Sequence, residues 1–263
     1  MSKPQTNYGN SWQKRSGAEI VATVRQLKKM HAGGELGGQI MPEDANPGLP
    51  KQCRDNYHYF TLPMALNYQR NSYSLWKAAQ QTYLNPDTKT VFDPELVLKM
   101  SVADLKDILS RHKIALQPCK QTETWQRLCY SICELFNGDI RKLFQDTAAH
   151  VPTILNYIQK SHKKKFPYLS GPKICNYWLY VLSQYTDLAL QTKEALTVAP
   201  DTHVIQASVR LGLVSPQQCA RPDIQAVIGR EWMEVLKGTE LISIDIHTSL
   251  WLWSRTGFIP IHD

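Results

Sequence analysis

Residues 161–214 read SHKKKFPYLSGPKICNYWLYVLSQYTDLALQTKEALTVAPDTHVIQASVRLGLV, and the reading of this stretch decides the fold. A basic cluster, His162-Lys163-Lys164-Lys165, precedes a tight turn at Leu169-Ser170-Gly171-Pro172. An apolar helix opens near Lys173. Gly171 is able to take a positive φ, and Pro172 suits the first helical turn. A turn of this kind exposes backbone N–H groups at a helix N-terminus, where a phosphate can sit. Farther on, Ala199-Pro200-Asp201-Thr202-His203 begins a second helix, with Asp201 at or near its N-cap. Taken singly these features are ordinary. Lysine clusters are commonly solvated faces, Gly-Pro turns recur widely, and an aspartate before a helix is commonly only a cap.

Their order carries more. Gly171-Pro172-Lys173-Ile174-Cys175-Asn176 matches G-x-K-x-x-N, Pro200-Asp201-Thr202-His203-Val204 matches a D-T-H-V segment, and Val209-Arg210-Leu211-Gly212-Leu213 continues as R-L-G-L. In that order they resemble the helix-hairpin-helix (HhH-GPD) superfamily of DNA glycosylases. The resemblance is specific over about 50 residues. Two departures stand out. Leu169 replaces the first glycine of the hairpin. Lys173 and Asp201 are 28 positions apart, with Tyr185–Val198 lengthening the connection. Such a connection is reminiscent of the archaeal 8-oxoguanine glycosylase branch. No C-x6-C-x2-C-x5-C pattern follows Asp201, so no iron–sulfur cluster is expected.

Outward from this stretch, the chain reads as helices in succession. Ala18–Met30 places Ile20, Val21, Val24 and Leu27 on one face. Glycines and prolines between Gly33 and Pro50 mark a loop. Leu62–Tyr83 is apolar and aromatic, Ser101 and Asp104 open a helix over Val102–His112, and further helices are expected over Thr122–Phe136, Asp139–Ala149 and Val151–Ser161. No stretch alternates with period two. The fold class is therefore mainly α, and the resemblance implies a two-lobed helical architecture. The expected divisions are an N-terminal leader with one helix packing on the C-terminal lobe (1–55), a helical lobe carrying a base-plug turn (56–160), and the hairpin and catalytic-aspartate lobe (161–263). Near the end, Asp245 is expected to cap the Trp-rich segment Ile246–Arg255.

Composition sets outer limits. The chain is 43% hydrophobic and 20% charged, the balance of a globular protein rather than a disordered one. A formal net charge of +7 favours attraction to phosphate, though charge alone is a weak sign. Met1–Ser16 is polar with no apolar signal core, and no apolar run approaches the ~20 residues of a membrane span. The six scattered cysteines contain no C-x-x-C pair. A cytoplasmic monomer with reduced thiols is expected.

The resemblance implies the chemistry. Asp201 stabilises the positive charge that builds on the sugar as the N-glycosidic bond breaks. Lys173, as a neutral amine, displaces the base and forms a Schiff base. Ser170, Gly171, Lys163, Lys164, Lys165 and His203 meet double-stranded DNA. The turn Leu66–Asn71 takes the place of a base plug, with Asn67, Gln69 and Arg70 filling the gap left by the extruded base. Tyr68, Tyr177 and Trp178 contribute to base recognition. No metal or cofactor is implied beyond a structural monovalent cation that the hairpin has room to hold. Three functions stay open: a glycosylase and abasic-site lyase for an oxidised purine such as 8-oxoguanine; a monofunctional glycosylase for a bulkier base, such as modified cytosine of phage DNA; and a non-catalytic DNA-binding module.

Overall fold

The Ser16 hydroxyl accepts from the Glu19 amide, and the Glu19 carboxylate accepts in return from the Ser16 amide at 2.8 Å. This reciprocal box satisfies two of the orphan donors of a new helix. The helix it starts is the first of twelve α-helices in the computed structural model, which describes residues 12–37, 41–68 and 70–261. They are α1 (Gly17–Ala32), α2 (Arg54–Thr61), α3 (Ser72–Leu84), α4 (Pro94–Val97), α5 (Val102–Arg111), α6 (Pro118–Phe136), α7 (Arg141–Asp146), α8 (Val151–Asn156), α9 (Pro172–Tyr185), α10 (Thr202–Arg210), α11 (Ile224–Leu236) and α12 (His247–Arg255). Short 3-10 turns connect many of them, and α8 runs on into a π turn at Tyr157–Ser161. Among the described residues no strand forms; one isolated bridge pairs His150 with Gln191. The fold is mainly α, as the helical periodicity requires.

Contacts divide the chain into two units: Ile40–Ala195, and Met1–Gln39 joined to Leu196–Asp263. The divisions expected from the sequence fall at 55/56 and 160/161 instead. The difference has a packing cause. The hairpin helix α9 packs on α2 and on the 3-10 turn Pro63–Leu66, so it groups with the middle of the chain. In the other unit, α1 packs on α11 and α12.

In the unit Ile40–Ala195 the core is aromatic. Tyr59 stacks on Phe92 with ring centroids 5.5 Å apart, and Phe92 meets Trp125 edge-on at 5.5 Å. Such offset and edge contacts add to area burial. The apolar run from Leu62 is not one helix. It breaks after α2 into the Pro63–Leu66 turn and restarts at α3, where Asn71 accepts from the Ser74 amide. Pro63 explains the break, since its ring cannot continue the ladder.

In the other unit, α1 buries Ile20, Val21, Val24, Leu27 and Met30, the face read from the sequence. α10 packs along α12, and the buried Ser208 hydroxyl of α10 accepts from the Trp232 indole at 2.9 Å. Gly212, two residues past the end of α10, has φ +75°. A Cβ there would lie 2.7 Å from the Gln13 carbonyl. Both backbone conformation and close approach therefore require glycine in R-L-G-L. The Trp-rich segment forms α12, but Asp245 does not cap it. A 3-10 turn (Ser243–Ile246) runs directly into the helix, the N-cap falls on Ile246, and no side chain caps it.

Candidate functional site

The predicted hairpin is a tight turn followed by a long helix. Phe166 O accepts from the Ser170 amide at 2.9 Å, and Tyr168 O accepts from the Gly171 amide at 3.0 Å. Gly171 itself has φ −65°, so the positive φ open to it is not used. The left-handed residue is Tyr168, at φ +60°. A Cβ at Gly171 would lie 3.2 Å from Tyr168 O, a tight approach. Pro172 takes the first helical position and Lys173 the second. The amides of Ser170 and Gly171 are therefore occupied by the turn.

The basic cluster upstream is unequal. Lys163 and Lys164 are exposed on a 3-10 turn. Lys165 instead pairs with Glu134 at 2.5 Å, and its carbonyl accepts from Ser131 at 2.7 Å.

The turn expected to act as a base plug is held by hydrogen bonds of its polar side chains. Asn67 Oδ1 accepts from the Ser72 hydroxyl at 3.1 Å. The Arg70 guanidinium donates to Ile114 O at 2.6 Å and Lys113 O at 3.2 Å, which anchors the turn rather than leaving Arg70 to fill a gap. Gln69 lies outside the described residues. Tyr68 is 54% exposed, with its ring 5.7 Å from that of Tyr168. Two segments far apart in sequence, the plug turn and the hairpin turn, thus meet through their tyrosines.

Trp178 is not a base contact. It is fully buried, and its indole donates to Thr61 at 3.0 Å. It packs on Phe144 as part of the core. Tyr177 stands four residues after Lys173, on the same side of α9. Its hydroxyl donates to Glu43 Oε1 at 3.1 Å. Glu43 is 1% exposed, and burial pushes its carboxyl up to about 7 despite that hydrogen bond. Sequence reasoning missed Glu43. Met-Pro-Glu-Asp reads as a polar turn, and nothing local announces that its glutamate is buried.

Asp201 belongs to the other unit and is the N-cap of α10. Its Oδ1 accepts from the Val204 amide at 2.9 Å, as the Pro-Asp-Thr-His pattern predicts. His203 lies half-buried on the first turn. Its Nδ1 is 3.1 Å from the Ser254 hydroxyl, and its ring meets the edge of Trp251 at 5.9 Å. Burial lowers the His203 pKa and Arg255 lowers it further, against the opposing pull of Asp201. Arg255 lies over the Trp251 ring at 4.6 Å. The Asp245–Arg255 segment thus supplies the side chains that surround His203.

Among the described residues no group of three His, Cys, Asp or Glu side chains converges as a metal site, and no helix is long and apolar enough to cross a membrane. No family model and no curated protein matches the chain. Among solved structures it is similar to an endonuclease III trapped as a covalent intermediate with DNA, in an estranged-adenine complex. The TM-score is 0.59 at 15% identity, covering 92% of this chain and 87% of that one. The two proteins share a fold.

Proposed function

We propose that the chain is a DNA glycosylase that extrudes a damaged or modified base from double-stranded DNA and cleaves its N-glycosidic bond. The observation that carries this reading is Asp201. A carboxylate is fixed at a helix N-terminus by the Val204 amide, in a chain with the fold of a DNA-processing enzyme. Asp201 stabilises the cationic sugar as the bond to the base lengthens. Lys173 loses a proton and attacks C1′, and the base departs with the bonding pair and takes up a proton. The secondary amine then opens the sugar to a Schiff base. Loss of the C2′ proton expels the 3′ phosphate by β-elimination, which nicks the strand. An oxidised purine such as 8-oxoguanine is the proposed substrate class, and the exposed Lys163 and Lys164 meet the phosphate backbone.

The hairpin geometry favours a second reading. With Leu169 in place of a glycine and Tyr168 left-handed, Lys173 meets a phosphate. Asp201 then activates water against a bulkier base, modified cytosine of phage DNA among them, and leaves an abasic site. Borohydride trapping on duplexes carrying oxidised, alkylated and hypermodified bases separates the two. A covalent adduct that disappears in Lys173→Ala supports the lyase. Base release without any adduct supports the monofunctional enzyme. Intact DNA binding with no base released from any duplex rejects both and leaves a binding module.

A further inference from the structure

The described polar side chains of the turn between the Pro63–Leu66 segment and α3 are bonded within the protein. Asn67 is held by Ser72, Asn71 caps α3, and Arg70 is pinned to the Ile114 and Lys113 carbonyls. Among the described residues, the large side chain that the turn exposes is the ring of Tyr68. Behind it stands Tyr168, and the Lys120 ammonium lies 5.4 Å from the Tyr168 ring centroid. Tyr168 holds a left-handed backbone, which costs a bulky residue energy that glycine would not lose. The hydrogen bonds on either side of Tyr168 hold that conformation in place. An exposed ring, backed by a second ring and a cation on a fixed turn, has the chemistry of a nucleobase-stacking platform.

We infer that Tyr68, backed by Tyr168 and Lys120, is an aromatic wedge that stacks in the gap left by the extruded base, and that it does so whatever base stands opposite. The inference rests on the glycosylase reading and adds a specificity to it. A stacked ring recognises the π-face that every base has, whereas a hydrogen-bonding plug discriminates among base edges. Lys120 remains charged beside the Tyr168 hydroxyl, which raises its pKa, and supplies a cation next to the strand.

The test uses the full chain and duplexes carrying a tetrahydrofuran abasic analogue opposite each of the four bases, with affinity read by fluorescence anisotropy at one salt concentration. The wild-type protein binds all four within about threefold of one another, and more tightly than an intact duplex. Tyr68→Ala weakens binding to all four by about tenfold, the order of one lost stacking contact, and weakens intact-duplex binding less. Tyr68→Phe stays within about twofold of wild type. Tyr168→Gly, which accepts the left-handed backbone and removes only the ring, weakens abasic binding as Tyr68→Ala does. Unchanged abasic affinity in Tyr68→Ala overturns the wedge while the glycosylase reading stands, and so does a wild-type affinity that depends strongly on the opposite base. A wild-type protein with no preference for abasic over intact duplex overturns both.

Discussion

The Tyr177 hydroxyl donates to Glu43 Oε1 across 3.1 Å, one helical turn beyond Lys173, and the carboxyl it meets is almost wholly buried. Burial raises the Glu43 pKa from 4.5 to about 7, so the folded chain binds this proton more tightly than the unfolded chain does. The contribution to stability is fully present below pH 4.5 and is lost as pH rises toward 7, a loss on the order of 3 kcal/mol. Glu43→Gln cannot ionise. Its stability relative to wild type should therefore increase across that interval, as measured by urea unfolding at a series of pH values. A constant difference between the two proteins would show that Glu43 is not a buried acid.

His58 predicts the opposite slope. It is fully buried, neither ring nitrogen has a hydrogen-bond partner among the described residues, and burial together with Arg54 lowers its pKa from 6.5 to about 4. A depressed histidine contributes stability that is present above 6.5 and lost as pH falls toward 4. His58→Phe should thus gain on wild type as the solution is acidified, while Glu43→Gln gains as it is made more alkaline. The same urea series reads both, and slopes of the same sign would contradict the assignment.

Gly212→Ala tests why R-L-G-L requires its glycine. With φ at +75° and the Gln13 carbonyl 2.7 Å from the new methyl, the substitution should cost on the order of 2 kcal/mol or more. The check is the denaturation midpoint, and a wild-type midpoint would refute the close approach.

The three lysines upstream of the hairpin should behave differently in DNA binding. Lys163 and Lys164 are exposed, whereas Lys165 is paired with Glu134. Removing both exposed lysines should flatten the plot of log affinity against log salt by roughly 0.9 for each lost phosphate contact. Lys165→Ala should change it less. Equal effects at all three positions would mean that the Glu134 pair does not persist on DNA.

What was legible in the sequence was local. The Asp201 cap, the buried face of α1 and the start of α9 each follow from a few adjacent residues, and the structure has all three. What was not legible depends on neighbours distant in the chain. Trp178 reads as a pocket aromatic until Thr61 and Phe144 are seen to enclose it. Arg70 reads as a plug until the Ile114 and Lys113 carbonyls claim it. Glu43 lies 134 positions from the tyrosine that meets it. The positive φ open to Gly171 falls instead on Tyr168, three residues earlier. The meeting of Tyr68 and Tyr168 depends on the same long-range packing.

The central claim is that the Asp201 carboxylate drives base release, and it is tested most directly by single-turnover base release from the panel of damaged and modified duplexes. Wild type is expected to release a base from at least one duplex. Asp201→Asn, which retains an oxygen to cap α10, is expected to lose that release by a hundredfold or more, the order of one electrostatic catalytic group, while binding the same DNA with an unchanged salt dependence. Full base release by Asp201→Asn would contradict the account.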